Sequence, residues 1–125
     1  MKLEIERHQE LIDTLFKFPF VRYAVITDEW GKRYAGGMKP GVTSTTPVEI
    51  EKRLETQAVL ILKMAEGYVD YDGKVLFSTI RWEKILAMFF LLNGNRTLSV
   101  TLEGDTFFDL ISKVRETVEN WKSSS

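Results

Sequence analysis

The chain lacks cysteine entirely and has one histidine among its 125 residues. Without cysteine, disulfides and thiolate chemistry are excluded. The lone histidine, His8, has no second imidazole with which to share a metal, and its helical spacing favours a packed or surface position over a ligand or general base. No nucleophile is paired with a base, and no pair of carboxylates stands out for acid and base work. We therefore predict that the protein is not an enzyme and has no cofactor and no metal site.

Long apolar runs and an excess of one charge are also missing. The longest apolar run, residues 85–92, is far shorter than the roughly 20 residues that span a bilayer. Seventeen basic and eighteen acidic side chains give a net charge of −1, so no broad positive field attracts nucleic acid. Charged residues interrupt the N-terminal segment, unlike a signal peptide. We predict a cytoplasmic protein with no membrane span and no nucleic-acid partner.

The composition is that of an ordinary globular protein with 44% hydrophobic and 28% charged residues. A chain of this length buries about two thirds of its unfolded surface around one core. We expect a single domain over residues 1–122 and a disordered tail over residues 123–125.

The first part of the chain predicts a helix and a β-hairpin. His8, Leu11 and Leu15 recur at helical spacing, and Pro19 marks the end of that helix. Residues 21–26 form a β-rich segment that reaches a turn at residues 28–31, where glycine supplies a positive φ. The return strand is expected at about residues 32–35 and leaves the hairpin through Gly36 and Gly37.

The second predicted helix begins at a capping-box pattern, with Thr46 as the cap, Pro47 at the first helical position and Glu49 in the first turn. Its apolar stripe broadens toward the C-terminal half, where Leu60 and Met64 make the helix apolar nearly all round. Such a helix needs two surfaces to pack against.

The remaining elements are three strands and a helix. Strands are expected at residues 74–80, 85–92 and 97–102, the second apolar on both faces and therefore central. The segment Asn93-Gly94-Asn95 joins the last two as a hairpin. A helical period then runs to Trp121, with Thr106 and Asp109 as a looser cap. The element order is α-β-β-α-β-β-β-α.

This order, with the hairpin and glycine pair in residues 22–41, resembles the roadblock / dynein light chain superfamily. The resemblance covers nearly the whole chain and implies an α/β protein of the α+β type with profilin-like architecture. It further implies a five-stranded antiparallel sheet of order 2-1-5-4-3, with the first and third helices on one face and the second on the other. Residues 35–41, reading AGGMKPG, are similar in addition to a group of archaeal proteins that offers no activity to carry over.

The resemblance implies a homodimer formed through the second helix and the neighbouring edge strand. The excess apolar surface of that helix agrees with such an interface. The candidate interface residues are Val59, Leu60, Lys63, Met64, Val75 and Phe77. Members of the family act as scaffolds or regulators of small GTPases and motor complexes, so the expected partners are a second copy of the chain and a small GTPase or other protein.

Four further residues are candidate partner contacts. Trp30 and Trp82 lie at predicted hairpin tips, where a tryptophan either folds back over its strands or binds a protein. Met38 and Lys39 follow the glycine pair. That segment could present backbone amides and a lysine to a phosphate, but turn geometry explains the same residues and the pattern is not a Walker loop.

A second function stays open at this point, namely a small-molecule sensor with a ligand cavity between the sheet and a helix. A pocket of several hundred Å3 with converging polar groups would favour that alternative.

Overall fold

The computed structural model describes residues 3–44, 46–103 and 107–124. Within these ranges four helices and five strands follow one another, and the bounds of the first four elements are α1 (Glu4–Phe16), β1 (Val21–Thr27), β2 (Arg33–Met38) and α2 (Val48–Glu66). The rest are α3 (Val69–Asp72), β3 (Ser78–Arg81), β4 (Ile85–Leu92), β5 (Arg96–Glu103) and α4 (Phe107–Ser123). Apart from the single turn of α3, this is the predicted order of elements.

The five strands form one antiparallel sheet in the order β2-β1-β5-β4-β3, as predicted. The longest strands, β4 and β5, lie side by side near the middle, whereas β2 and β3 are the two edges. The helices divide between the two faces of the sheet, so each face has its own packing layer.

The main hydrophobic core lies between the sheet and the pair α1 and α4. Alternate residues of β1, β4 and β5 point into it because successive side chains of a strand face opposite ways. The buried members supplied by the two helices are Leu11, Ile12, Leu15, Val114 and Val118. This layer fixes α1 and α4 against one face.

The opposite face of the sheet carries a much smaller cluster under α2. Its buried members are Ala58 and Leu62 of α2 with Ala87 and Phe89 of β4. The buried residues of this cluster come from the C-terminal half of α2, whereas the N-terminal half stands over a space lined by both apolar and polar side chains.

The β1–β2 turn is closed by an aspartate side chain. The Asp28 carboxylate accepts hydrogen bonds from the backbone N–H groups of Trp30 and Lys32, each at 2.9 Å, and these bonds lower the pKa of Asp28. Gly31 has a φ of 83°, and a Cβ there would lie 2.7 Å from the Thr56 hydroxyl of α2. Glycine thus permits both the turn and its close approach to α2.

The predicted end of β2 at the glycine pair was wrong. Gly36 and Gly37 lie inside the strand and pair with Val25 and Ala24 of β1. A Cβ on Gly36 would stand 2.1 Å from the Ala24 carbonyl oxygen. The glycine is therefore required for close strand contact and not for an exit from the hairpin.

Two other boundaries also differ from the prediction. Helix α2 begins at Val48, its N-cap residue is Pro47, and no side chain caps it, so the predicted Thr46 cap was wrong. The hydroxyl that forms hydrogen bonds in this loop is that of Ser44, which donates to the Thr46 carbonyl oxygen at 2.8 Å. Strand β3 is confined to Ser78–Arg81, so only the last residues of the predicted strand 74–80 pair with β4. The predicted cap at Thr106 lies outside the described residues.

Candidate functional site around helix α2

The outward side of α2 exposes large apolar side chains to solvent. Leu60 is 56% exposed and Met64 is 73% exposed, and Ile61 lies beside them in sequence. The exposure continues past the end of the helix at Tyr68 and at Tyr71, which is 85% exposed. Isolated apolar residues are ordinary on protein surfaces, but a run of this kind along one helix and its extension is typical of an interaction surface. We call these five residues the α2 outer surface.

The inward side of α2 leaves a cavity above the sheet. The cavity has a volume of about 400 Å3 and lies beneath the N-terminal half of the helix. Its lining is largely apolar and is contributed by Met38, Ile50, Leu54, Trp82, Ile85, Ala87 and Phe89. Ser99 and Thr101 of β5 supply hydroxyl groups to the same space. Volume and lining fall within the usual range for small-molecule sites.

An ion pair borders the cavity. Glu55 of α2 is only 2% exposed, and its carboxylate accepts two hydrogen bonds from the Arg33 guanidinium, at 2.8 and 3.0 Å. Arg33 also donates to the Tyr23 hydroxyl at 3.3 Å. Burial, with the Glu55 charge as a second cause, raises the pKa of Tyr23 strongly, and the bond to Glu55 raises the pKa of Arg33. At neutral pH Tyr23 therefore stays protonated and Arg33 charged, so the pair ties β2 to α2.

Comparison with known proteins gives structural matches only. No family model matches the chain, and no curated protein matches it in sequence. Among solved structures, a Roadblock/LC7 domain from Streptomyces avermitilis has a TM-score of 0.66 at 12% identity, covering 92% of this chain and 91% of that one. The chain has the roadblock fold. The gliding protein MglB from Thermus thermophilus has a TM-score of 0.68 at 11% identity, with 100% and 96% covered. MglB from Myxococcus xanthus has a TM-score of 0.66 at 14% identity, covering 99% of this chain and 93% of that one.

Within this roadblock fold the six candidate interface residues occupy different environments. Leu60 and Met64 belong to the α2 outer surface, whereas Val59 is 4% exposed and buried within the single chain. Lys63 is exposed, but its amine donates to the Glu29 carbonyl oxygen at 3.1 Å and lies 5.3 Å from the centre of the Trp30 ring.

The other two candidates, Val75 and Phe77, are half-buried in the segment that leads into β3. Val75 packs against the small cluster beneath α2, and Phe77 packs against the main core with its ring 5.8 Å from that of Phe90. The structure thus brings Leu60 and Met64 to solvent on α2 and places the other apolar candidates partly or wholly inside. The interface itself stays a prediction.

The four candidate partner contacts do not form one surface. Trp30 is 76% exposed at the β1–β2 turn, with Lys63 over its ring. Trp82 and Met38 line the cavity instead. The amine of Lys39 donates to the Phe18 carbonyl oxygen at 2.9 Å, which holds this lysine against the chain.

Sequence reasoning raised a cavity between the sheet and a helix as an alternative, but it missed Glu55 and did not identify the residues that line the cavity. Glu55 lies three and seven residues before Ala58 and Leu62, on the stripe of α2 that faces the sheet. A charged residue at that helical spacing is the available signal, since an inward carboxylate needs a partner. The partner, Arg33, is recognisable only after the fold brings β2 beneath α2.

Two further kinds of feature are absent from the part of the chain that the structure describes. Its histidine and carboxylate side chains form no group of three that could hold a metal ion. None of the helices in residues 3–44, 46–103 and 107–124 has the length and apolar character to cross a bilayer.

Proposed function

We propose that the protein is a non-enzymatic, homodimeric interaction module that scaffolds or regulates a small GTPase. The observation that carries the proposal is the α2 outer surface, in which Leu60 and Met64 stay exposed although the inward side of the same half of the helix is already packed on the sheet. A second copy of the same surface is a natural cover because most oligomers are two-fold symmetric. The roadblock fold and the family resemblance support the GTPase connection by analogy. The predicted cytoplasmic location belongs to the same proposal.

The edge strand β3 also supports a two-copy arrangement. Among the residues that the structure describes, β3 pairs only with β4, so its outer backbone groups face away from the sheet. An unpaired strand edge is a template for adding another strand, such as β3 of a second copy. In such a dimer α2 would help to cover the contact between the two sheets. Leu76, just before β3, is also exposed and adds a large apolar side chain close to this edge in sequence.

Replacing Leu60 with glutamate tests the dimer. Fully burying a leucine side chain contributes about 1.5–3 kcal/mol, and a two-fold interface contains two copies. Because just over half of Leu60 remains to be buried, the change removes about 2 kcal/mol and weakens self-association by about 30-fold or more. Sedimentation equilibrium should show a folded monomer for the Leu60→Glu protein.

The matched control is Leu3→Glu, the same substitution at a leucine that is equally open to solvent but precedes α1 on the other face of the sheet. That protein should associate like the original. Equal association of both variants with the original chain would show that the α2 outer surface is not the interface.

The GTPase part is tested by capture from native lysate in parallel samples supplied with GDP or with a non-hydrolysable GTP analogue. A regulator or effector recovers a GTPase preferentially in one nucleotide state, because the switch segments of GTPases are ordered by the γ-phosphate. If mass spectrometry identifies no GTPase in either sample, this part of the proposal is wrong. The dimer measurement is independent of that outcome.

A further inference from the structure

We propose that the cavity beneath α2 binds a small, uncharged and largely apolar molecule through a hydrogen bond to Ser99. This inference goes beyond the proposed interaction function, and it rests on different residues. None of the residues of the α2 outer surface lines the cavity. A ligand site and a dimer interface can therefore be tested separately.

The first argument is an unsatisfied hydroxyl. Ser99 is 3% exposed and lines the cavity, and its Oγ has no hydrogen-bond partner in the part of the chain that the structure describes. A buried polar atom without a partner costs free energy, so native proteins nearly always supply one. Its strand neighbours, Val25 on β1 and Phe89 on β4, are both apolar and cannot bond to it through their side chains.

The second argument is the shape and polarity of the space. About 400 Å3 lies over Ser99, bounded by Leu54 from the helix and by Ala87 and Phe89 from the sheet. An apolar cavity of this size accommodates one or two fused rings with room to spare. Apolar walls favour a ligand that is mostly apolar, and the Ser99 hydroxyl favours a ligand with one group that can donate or accept a hydrogen bond.

The third argument concerns charge. The carboxylates of Glu55 and Glu51 both face Arg33, at 2.8 and 3.8 Å, and Arg22 is paired with Glu103, so these charges are compensated within the chain. Arg53, which also lines the space, is exposed to solvent. A charged group carried into the interior would meet no uncompensated partner there, and its desolvation would oppose binding. The ligand is therefore uncharged.

Two probes that differ by one hydroxyl group test the site, 2-naphthol and naphthalene. Titration of the isotope-labelled full chain by NMR should give saturable shifts of the Leu54, Phe89 and Ser99 amides with both compounds. In the Ser99→Ala protein, affinity for 2-naphthol should fall by about five-fold because one hydrogen bond is lost, and affinity for naphthalene should not change.

The control is Thr97→Val, which removes a hydroxyl from a buried residue two positions earlier on β5 that does not line the cavity. Both probes should bind this protein as they bind the original. The proposal is overturned if the shifts do not saturate, if they map to the α2 outer surface instead, or if Ser99→Ala weakens both probes alike or neither of them.

Discussion

Removing Arg33 should destabilise the protein much more than removing the charge of its partner Glu55. The two residues form a two-bond ion pair, but the side chain of Glu55 is 2% exposed and that of Arg33 is 27% exposed. Arg33→Met leaves a carboxylate in the interior without its main donor. Glu55→Gln leaves a guanidinium that water can still reach.

The burial of each group sets the size of the effect. Removing one partner of a buried ion pair costs about 3–5 kcal/mol, and we expect this for Arg33→Met because Glu55 is only 2% exposed and loses its guanidinium partner. For Glu55→Gln the amide keeps the shape and one acceptor while the partly exposed arginine is hydrated, so a cost of about 1–2 kcal/mol is expected. Replacing both residues with methionine removes the stranded charge and should restore at least about 2 kcal/mol relative to Arg33→Met alone.

Urea unfolding followed by tryptophan fluorescence measures these differences, at neutral pH and at one protein concentration. The Arg22→Met protein serves as a comparison because Arg22 pairs with a half-exposed carboxylate, Glu103. Its effect should stay near 1 kcal/mol or below, as for other surface pairs. Equal midpoints for Arg33→Met and Glu55→Gln, or a double variant no more stable than Arg33→Met, would refute the reasoning from burial.

Two further predictions concern other parts of the fold. Burial lowers the pKa of His8 below 6.5 in the folded protein, so the unfolded chain binds more protons and the free energy of unfolding should fall as the pH drops from about 6.5 through the folded pKa. In urea unfolding at several pH values, the His8→Phe protein should show a smaller dependence of stability on pH. An unchanged dependence would contradict this prediction. In thermal unfolding, Gly36→Ala should lower the stability by several kcal/mol more than Gly41→Ala. Both glycines have φ near 90°, but only at Gly36 would an added Cβ clash with the Ala24 carbonyl oxygen. Equal losses of stability would count against this explanation.

Periodicity in the sequence was enough to predict most elements of the fold. The apolar run at residues 85–92 became β4 with the predicted bounds, because a strand covered on both faces has no polar interruption. The strand order came from the family resemblance and not from the residues, since periodicity does not say which strands are neighbours. The structure has that order, and α2 packs on the face opposite α1 and α4.

Local patterns failed where a competing contact decides the structure. The glycines at positions 36 and 37 suggested a break, but pairing with β1 keeps them in the strand. Thr46 matched a helix cap, yet the Ser44 hydroxyl forms the bonds in that loop. For the glycines the deciding partner is a distant strand, whereas for Thr46 it is a side chain only two residues away.

The candidate site was only partly accessible to sequence reasoning. The apolar excess of Leu60 and Met64 is visible from helical spacing and agrees with their exposure. The burial of Val59 depends on how α2 is rotated over the sheet, which no local pattern determines. The cavity lies where Ser99 and Thr101 of β5 face the N-terminal half of α2, the half that also carries Glu55. The spacing of residues within one segment does not reveal a cavity that forms between two segments.

Multi-angle light scattering on the unmodified protein at micromolar concentration tests the central claim most directly. The account predicts a particle with twice the mass of the chain, held together through the α2 outer surface. A mass equal to that of one chain would contradict it, because the exposed residues of α2 would then remain uncovered in solution.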